Sequence, residues 1–133
     1  MAGQTDLNTL IRGMSATLQD GIYVFATVPH DCVPADIEYT MHFKEAEGTT
    51  LILPKTQAQV AGLPYEFPSR MITLNVHSAL EAVGFLAAIT RCLATQGMGV
   101  NPVAGFYHDH LFVPADRAGD AMRALDQLAQ TGL

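Results

Sequence analysis

The segment that most constrains the fold is a long apolar stretch, "HSALEAVGFLAAITRCLATQG" at residues 77–97. Its spacing predicts a helix with Ser78 as N-cap, Glu81 completing a capping box, and Gly97 as the left-handed residue after the last turn. Nearly all of the remaining positions in this stretch are apolar or small. A helix of this kind must be covered on more than one side, by a sheet and by another helix.

The rest of the chain alternates between strand-like and helix-like patterns, which predicts an α+β fold. An amphipathic helix is predicted from Thr5 to Leu18, with Thr5 or Asp6 as its N-cap. β-Branched and aromatic runs, together with a glycine-containing turn, predict further strands. The predicted strands are "GIYVFATV", "YTMHFKE", "TTLILP", "RMITLNV", "MGVNPVAGFY" and "HLFVP", and the predicted helices include residues 55–61 and 116–130.

An internal repeat links the two halves of the chain. "TLILPKTQAQVA" and "HLFVPADRAGDA" correspond without a gap, each with a strand, a stopping proline and a helix. The correspondence puts "HDH" (His108–His110) at a hairpin bend, where Asp109 is expected to bind backbone amides.

The proline-rich "GLPYEFPS" is the predicted linker, so the predicted halves are residues 1–66 and 67–133.

Composition excludes several classes of function. Seven basic residues against thirteen acidic ones give a net charge of -6, which disfavours nucleic acid and anionic membranes as partners. No apolar run is long enough to span a bilayer, and the first residues lack a signal-peptide pattern, so a cytoplasmic location is expected. Cys32 and Cys92 do not form a disulfide framework and are interpreted as buried or idle thiols.

The histidines and Ser78 do not form a recognisable catalytic set. His108 and His110 lie on one side of a strand and could chelate one ion, but they lack the third and fourth ligands of a metal site. Ser78 next to His77 lacks the glycine-flanked elbow of a nucleophile. We therefore predict no catalytic residues, no bound metal and no cofactor, and the sequence does not favour an enzyme.

The second half resembles the ACT domain, a small regulatory module that binds amino acids. The resemblance lies in "ITLNVHSALEAVGFLAAITRCLATQGMGVNPVAGFYHDHLFVP", and "EAEGTTLIL" extends it toward small bacterial proteins with tandem ACT-like domains. It implies two ferredoxin-like βαββα halves with mostly antiparallel sheets and helices on one face. The first half departs from the pattern, since a proline-containing loop stands where an ACT domain has its first helix. The N-terminal helix replaces that helix, or elements are exchanged between the halves.

The predicted ligand site is the start of the long helix, where unpaired backbone amides and the helix dipole favour a carboxylate. An ACT site forms at an interface, so a homodimer is also expected. Asn101 is a predicted polar contact, and Asp109 is a predicted partner for a ligand amine. The predicted ligand-binding residues are His77, Ser78, Ala79, Leu80, Glu81, Ala82, Val83, Gly84, Asn101 and Asp109.

Three functions follow from these observations. The first is a sensor that binds an amino acid or a related small metabolite at an ACT interface. The second is a metal-dependent enzyme built on His108, His110 and His30. The third is a ligand-free protein-interaction module whose sheet edges pair with another chain.

Overall fold

The chain is a mixture of helices and mostly antiparallel strands, as predicted. The computed structural model describes residues 6–133. Within that range, none of the helices combines the length and the apolar character needed to cross a bilayer. The elements are α1 (Leu7–Gly13), β1 (Ala16–Leu18), β2 (Tyr23–Val28), β3 (Met41–Lys44), β4 (Thr49–Pro54), α2 (Lys55–Ala61), β5 (Glu66–Leu74), α3 (Phe85–Ala94), β6 (Asn101–Ala104), β7 (Asp109–Pro114), a 3-10 turn (Ala115–Arg117) and α4 (Ala118–Thr131).

The chain divides into two compact units. The mid-chain unit is Gly21–Ser69, and the split unit joins residues 6–20 to Arg70–Leu133. The boundary falls inside β5, and α1 and β1 belong with the C-terminal segment rather than with the segment that follows them. The predicted division of the ACT-like halves between residues 66 and 67 stays a prediction.

The mid-chain unit contains a sheet of order β3-β4-β2-β5. Its paired strands are antiparallel, with Ala26 opposite Leu51 in the middle of the β2–β4 pair. The predicted loop between β2 and β3 is confirmed, since residues 29–40 contain no helix. Val33 and Ile37 of this loop pack against the apolar core of the unit, which lies between β2, β4 and α2.

The split unit contains the βαββα order of a ferredoxin-like domain, in β5, α3, β6, β7 and α4. β5 neighbours β7, β7 pairs with β6, and β1 pairs antiparallel with β5. Leu111 and Val113 of β7 face the core, which also contains Phe85, Ile89 and Leu93 of α3. Because α1 and α4 also contact α3, the expected cover of this helix by a sheet and by other helices is confirmed.

The internal repeat is visible in the structure. β4 and β7 are six-residue strands with the same alternation of buried and half-buried positions. The turn before β4 is closed by Glu45 N–H donating to the Gly48 carbonyl at 2.8 Å, and the turn before β7 by Gly105 N–H donating to the His108 carbonyl at 2.9 Å. Thr49 and Asp109 are therefore equivalent positions in the two units.

The predicted N-terminal helix is too long. Its N-cap is Asp6, whose carboxylate accepts from Thr9 N–H at 2.9 Å, while the alternative cap, Thr5, lies outside the described residues. The helix ends at Gly13, and Ala16–Leu18 form a strand opposite Leu74–Ile72. Pairing with β5 prevails here over a local helical pattern, because it satisfies backbone groups and buries apolar side chains.

The predicted linker is also partly wrong, because β5 begins at Glu66 instead of Arg70. The register between β2 and β5 shifts between Tyr23 and Phe25, and Phe67 adopts a positive φ of 57° at this irregularity. A bulge of this kind lets a strand accommodate Pro68, which has no N–H to donate. The Ser69 hydroxyl donates to the Tyr23 carbonyl at 3.0 Å and fixes the strand beyond the bulge.

Candidate functional site

A cavity of about 140 Å³ lies in the split unit, at the start of α3. The segment between β5 and α3 forms one wall, the first turn of α3 a second, and the β6–β7 hairpin a third. Its lining residues are Ser78, Ala79, Leu80, Ala82, Gly84, Phe85, Leu86, Ala87, Ala104 and Asp109.

The helix at this cavity begins later than the sequence predicts. The N-cap is Gly84, with φ 90° and ψ -9°, and it makes no side-chain capping hydrogen bond. The predicted capping box of Ser78 and Glu81 is therefore wrong. Residues 75–84 form an irregular segment with short-range contacts, such as Ala82 N–H donating to the Ala79 carbonyl at 2.9 Å. Gly84 allows the chain to pass from this irregular segment into α3, because a glycine adopts a left-handed conformation without the strain of a side chain.

The later start moves the free amides of the helix. The first amides of an α-helix have no intrahelical acceptor and carry the positive end of the helix dipole. In α3 these amides belong to Phe85, Leu86 and Ala87, and all three residues line the cavity. The feature that motivated the predicted carboxylate site is therefore present, but it is displaced toward the C-terminus by one to two turns.

Asp109 places a carboxylate at the same cavity. It is the first residue of β7, is only 6% exposed, and accepts a hydrogen bond from the Ser78 hydroxyl at 3.1 Å through Oδ2. The expected role of Asp109 in binding the amides of a hairpin bend is wrong, since the bend comprises Gly105–His108 and Asp109 lies within the strand. Alternation along β7 points its side chain to the side of the core and of α3.

Six of the ten predicted ligand-binding residues come together at the cavity: Ser78, Ala79, Leu80, Ala82, Gly84 and Asp109. The other four do not line it. The His77 ring packs 5.9 Å from the Tyr107 ring, Glu81 and Val83 are exposed, and Asn101 is exposed on β6. Binding by any of the ten stays a prediction.

Sequence reasoning missed four lining residues: Phe85, Leu86, Ala87 and Ala104. The helix residues were missed because the helix start was misplaced. Ala104 was within reach of a sequence argument, since it is the residue paired with Asp109 across the predicted β6–β7 hairpin.

The histidines of "HDH" belong to a different arrangement. His110 Nδ1 lies 3.0 Å from Thr73 Oγ1, which accepts from Gln19 Nε2 at 3.0 Å. Burial and the neighbouring His108 lower the pKa of His110, while the Asp109 carboxylate acts in the opposite direction. His30 is engaged elsewhere, with its Nδ1 2.9 Å from Thr49 Oγ1. Among residues 6–133, no three histidine, cysteine, aspartate or glutamate side chains form a group that could hold a metal ion.

Comparison with known proteins identifies the family. ACT-domain profiles match residues 2–70 and residues 66–127. No curated protein sequence matches the chain. A Vibrio cholerae protein of unknown function, described as a possible transport protein, is 43% identical, with 93% of this chain and 96% of that chain covered and a TM-score of 0.83.

More distant solved structures share the fold. An Agrobacterium tumefaciens protein is 15% identical over 87% of this chain and 89% of its own, with a TM-score of 0.71. The ligand-free regulatory subunit of aspartate kinase from Thermus thermophilus is 14% identical over 84% of this chain and 94% of its own, with a TM-score of 0.65. With an ACT match in each half and a ferredoxin-like fold, the chain belongs to the ACT-domain family.

Proposed function

We propose that this protein is a small cytoplasmic sensor that binds an amino acid or a related small metabolite at the start of α3. ACT domains generally bind small-molecule ligands such as amino acids, so family membership supports a regulatory, ligand-binding role in general. The observation that carries the proposal for this chain is the cavity, because it brings free helix amides and a buried carboxylate together.

The two polar features of the cavity suit the two ends of an amino acid. The amides of Phe85, Leu86 and Ala87 favour the ligand carboxylate, because backbone N–H groups at a helix N-terminus stabilise negative charge. Asp109 and Ser78 provide oxygen atoms for the ligand amine. In this arrangement α3 is the element whose position a bound ligand would fix.

Ligand binding is tested by thermal unfolding in the presence of amino acids and common metabolites. A ligand at a hundred times its dissociation constant stabilises the folded protein by about 2.7 kcal/mol. We expect a rise of several degrees in the melting temperature, since a domain of this size gains a few degrees per kcal/mol. If no compound in a broad panel raises the melting temperature, the proposal is wrong.

Variants locate the binding site. Gly84→Glu places a side chain and a negative charge at the helix start, and we expect it to abolish the ligand-induced shift. Gly62→Glu is a matched control, because Gly62 is also left-handed, with φ 68°, and lies in the mid-chain unit. His108→Ala is expected to retain the shift. The reverse pattern, with Gly84→Glu still responding and His108→Ala not, would move the site to "HDH".

A further inference from the structure

We propose that the cavity at α3 selects ligands that carry an ammonium group on a small apolar body, and that Asp109 is the residue that selects them. This inference rests on the proposed function and specifies its ligand class. It assigns the ligand ammonium the larger part in recognition, and the ligand carboxylate a secondary one.

The charge of the cavity supports an ammonium group. Asp109 is the one carboxyl group in the lining, which is otherwise apolar except for the Ser78 hydroxyl. In the part of the chain that the structure describes, Ser78 is the one hydrogen-bond donor that reaches this carboxylate. A buried carboxylate without a cationic partner is costly, and a ligand cation that enters the cavity offsets that cost.

The size and the walls of the cavity limit the rest of the ligand. Three alanines, Ala79, Ala82 and Ala104, line it together with Leu80. A volume of about 140 Å³ is below the range of roughly 300–1,000 Å³ typical of clefts for drug-sized ligands. It is close to that of an apolar cavity that admits one benzene-sized molecule. A short aliphatic side chain therefore fits within the apolar lining of the cavity.

The mid-chain unit provides an internal comparison. Thr49 is the equivalent of Asp109, is fully buried, and is already bonded to His30 at 2.9 Å. The loop at residues 29–40 replaces the counterpart of α3, so this unit has neither the carboxylate nor the helix amides. The ammonium-selective site is thus a property of the split unit, and we infer one such site per chain.

The experiment uses matched probes on the full chain. Isothermal titration calorimetry compares alanine with ethylamine and propionate, and valine with isobutylamine and isovalerate. Each set keeps the aliphatic body and removes either the carboxylate or the amine. We expect the amino acids and the amines to bind with one site per chain, and the two acids not to bind. Asp109→Asn should weaken binding of the amines about tenfold to a hundredfold, as expected for a lost hydrogen bond to a charged group.

Two further variants separate recognition from folding and from overall charge. Asp109→Thr introduces the residue that the mid-chain unit carries at the equivalent buried position, and it should lose binding while circular dichroism shows a folded protein. Asp116→Asn changes the net charge by the same amount at an exposed position and should leave affinity unchanged.

The outcomes distinguish this inference from the proposed function. Acids that bind as tightly as the amines, or Asp109 variants that keep full affinity, would overturn ammonium selection while leaving a ligand site. Two sites per chain would overturn the internal comparison. If none of these probes binds but a larger or more polar metabolite raises the melting temperature, the ligand class is wrong and the sensor function stands. If nothing in either panel binds, both are wrong.

Discussion

Gly84→Ala tests where α3 begins. The structure gives Gly84 a left-handed φ of 90° immediately before the helix. A Cβ at this position would meet Leu7 Cδ2 at 3.4 Å, an ordinary van der Waals contact, so backbone strain rather than a clash sets the cost. A left-handed conformation costs a residue with a side chain about 1–2 kcal/mol. We expect Gly84→Ala to destabilise the folded protein by that amount.

The alternative helix start predicts the opposite sign. If α3 began at Ser78, Gly84 would lie inside a helix, and replacing it with alanine would stabilise the protein by about 0.5–1 kcal/mol. Urea unfolding measures this difference directly through the shift in midpoint at constant slope. A Gly84→Ala protein more stable than the wild type would refute the helix start at Phe85 and the cavity built on it.

A second glycine provides the control for this experiment. Gly13 is the last residue of α1, is exposed and has no positive φ, and a Cβ added to it would meet no atom of residues 6–133 within 4 Å. Gly13→Ala is expected to stabilise the protein by about 0.4–1 kcal/mol, because alanine lowers the entropy of the unfolded chain without strain. Opposite signs at the two positions would separate the left-handed cap from a general effect of adding a methyl group.

Three other predictions concern pH, metal and assembly. Because the pKa of His110 in the folded protein lies below its ordinary 6.5, the unfolded chain takes up the proton first. The contribution of neutral His110 to stability is therefore present above about pH 6.5 and is lost as the pH falls toward the folded pKa. The difference between the urea midpoints at pH 7.5 and 5.5 should be smaller in His110→Gln than in the wild type. Elemental analysis should find well below one equivalent of zinc, iron, nickel or manganese, and a full equivalent lost on His108→Ala would favour the enzyme. Light scattering should give a homodimer, and a mass equal to one chain would contradict this expectation.

The sequence by itself determined most of the elements and the family. Period-two and helical patterns located β2, β4, β7, α2 and α4, since each buries one side of a short local segment. α2 ended at Ala61 as predicted, and the left-handed Gly62 follows it. The repeat anticipated the equivalence of β4 and β7, and the start of the long helix identified the region of the cavity.

Only the tertiary structure decided where α3 begins and what lies opposite its first turn. The contact between Ser78 and Asp109 joins residues 31 positions apart, and β1 forms by pairing with a strand more than fifty residues away. Local propensity carries no information about such partners, so the sequence favoured a capping box at Ser78 and a helix through Leu18. Long-range hydrogen bonds and burial outweighed both preferences, and in doing so they brought a carboxylate and free helix amides to one cavity.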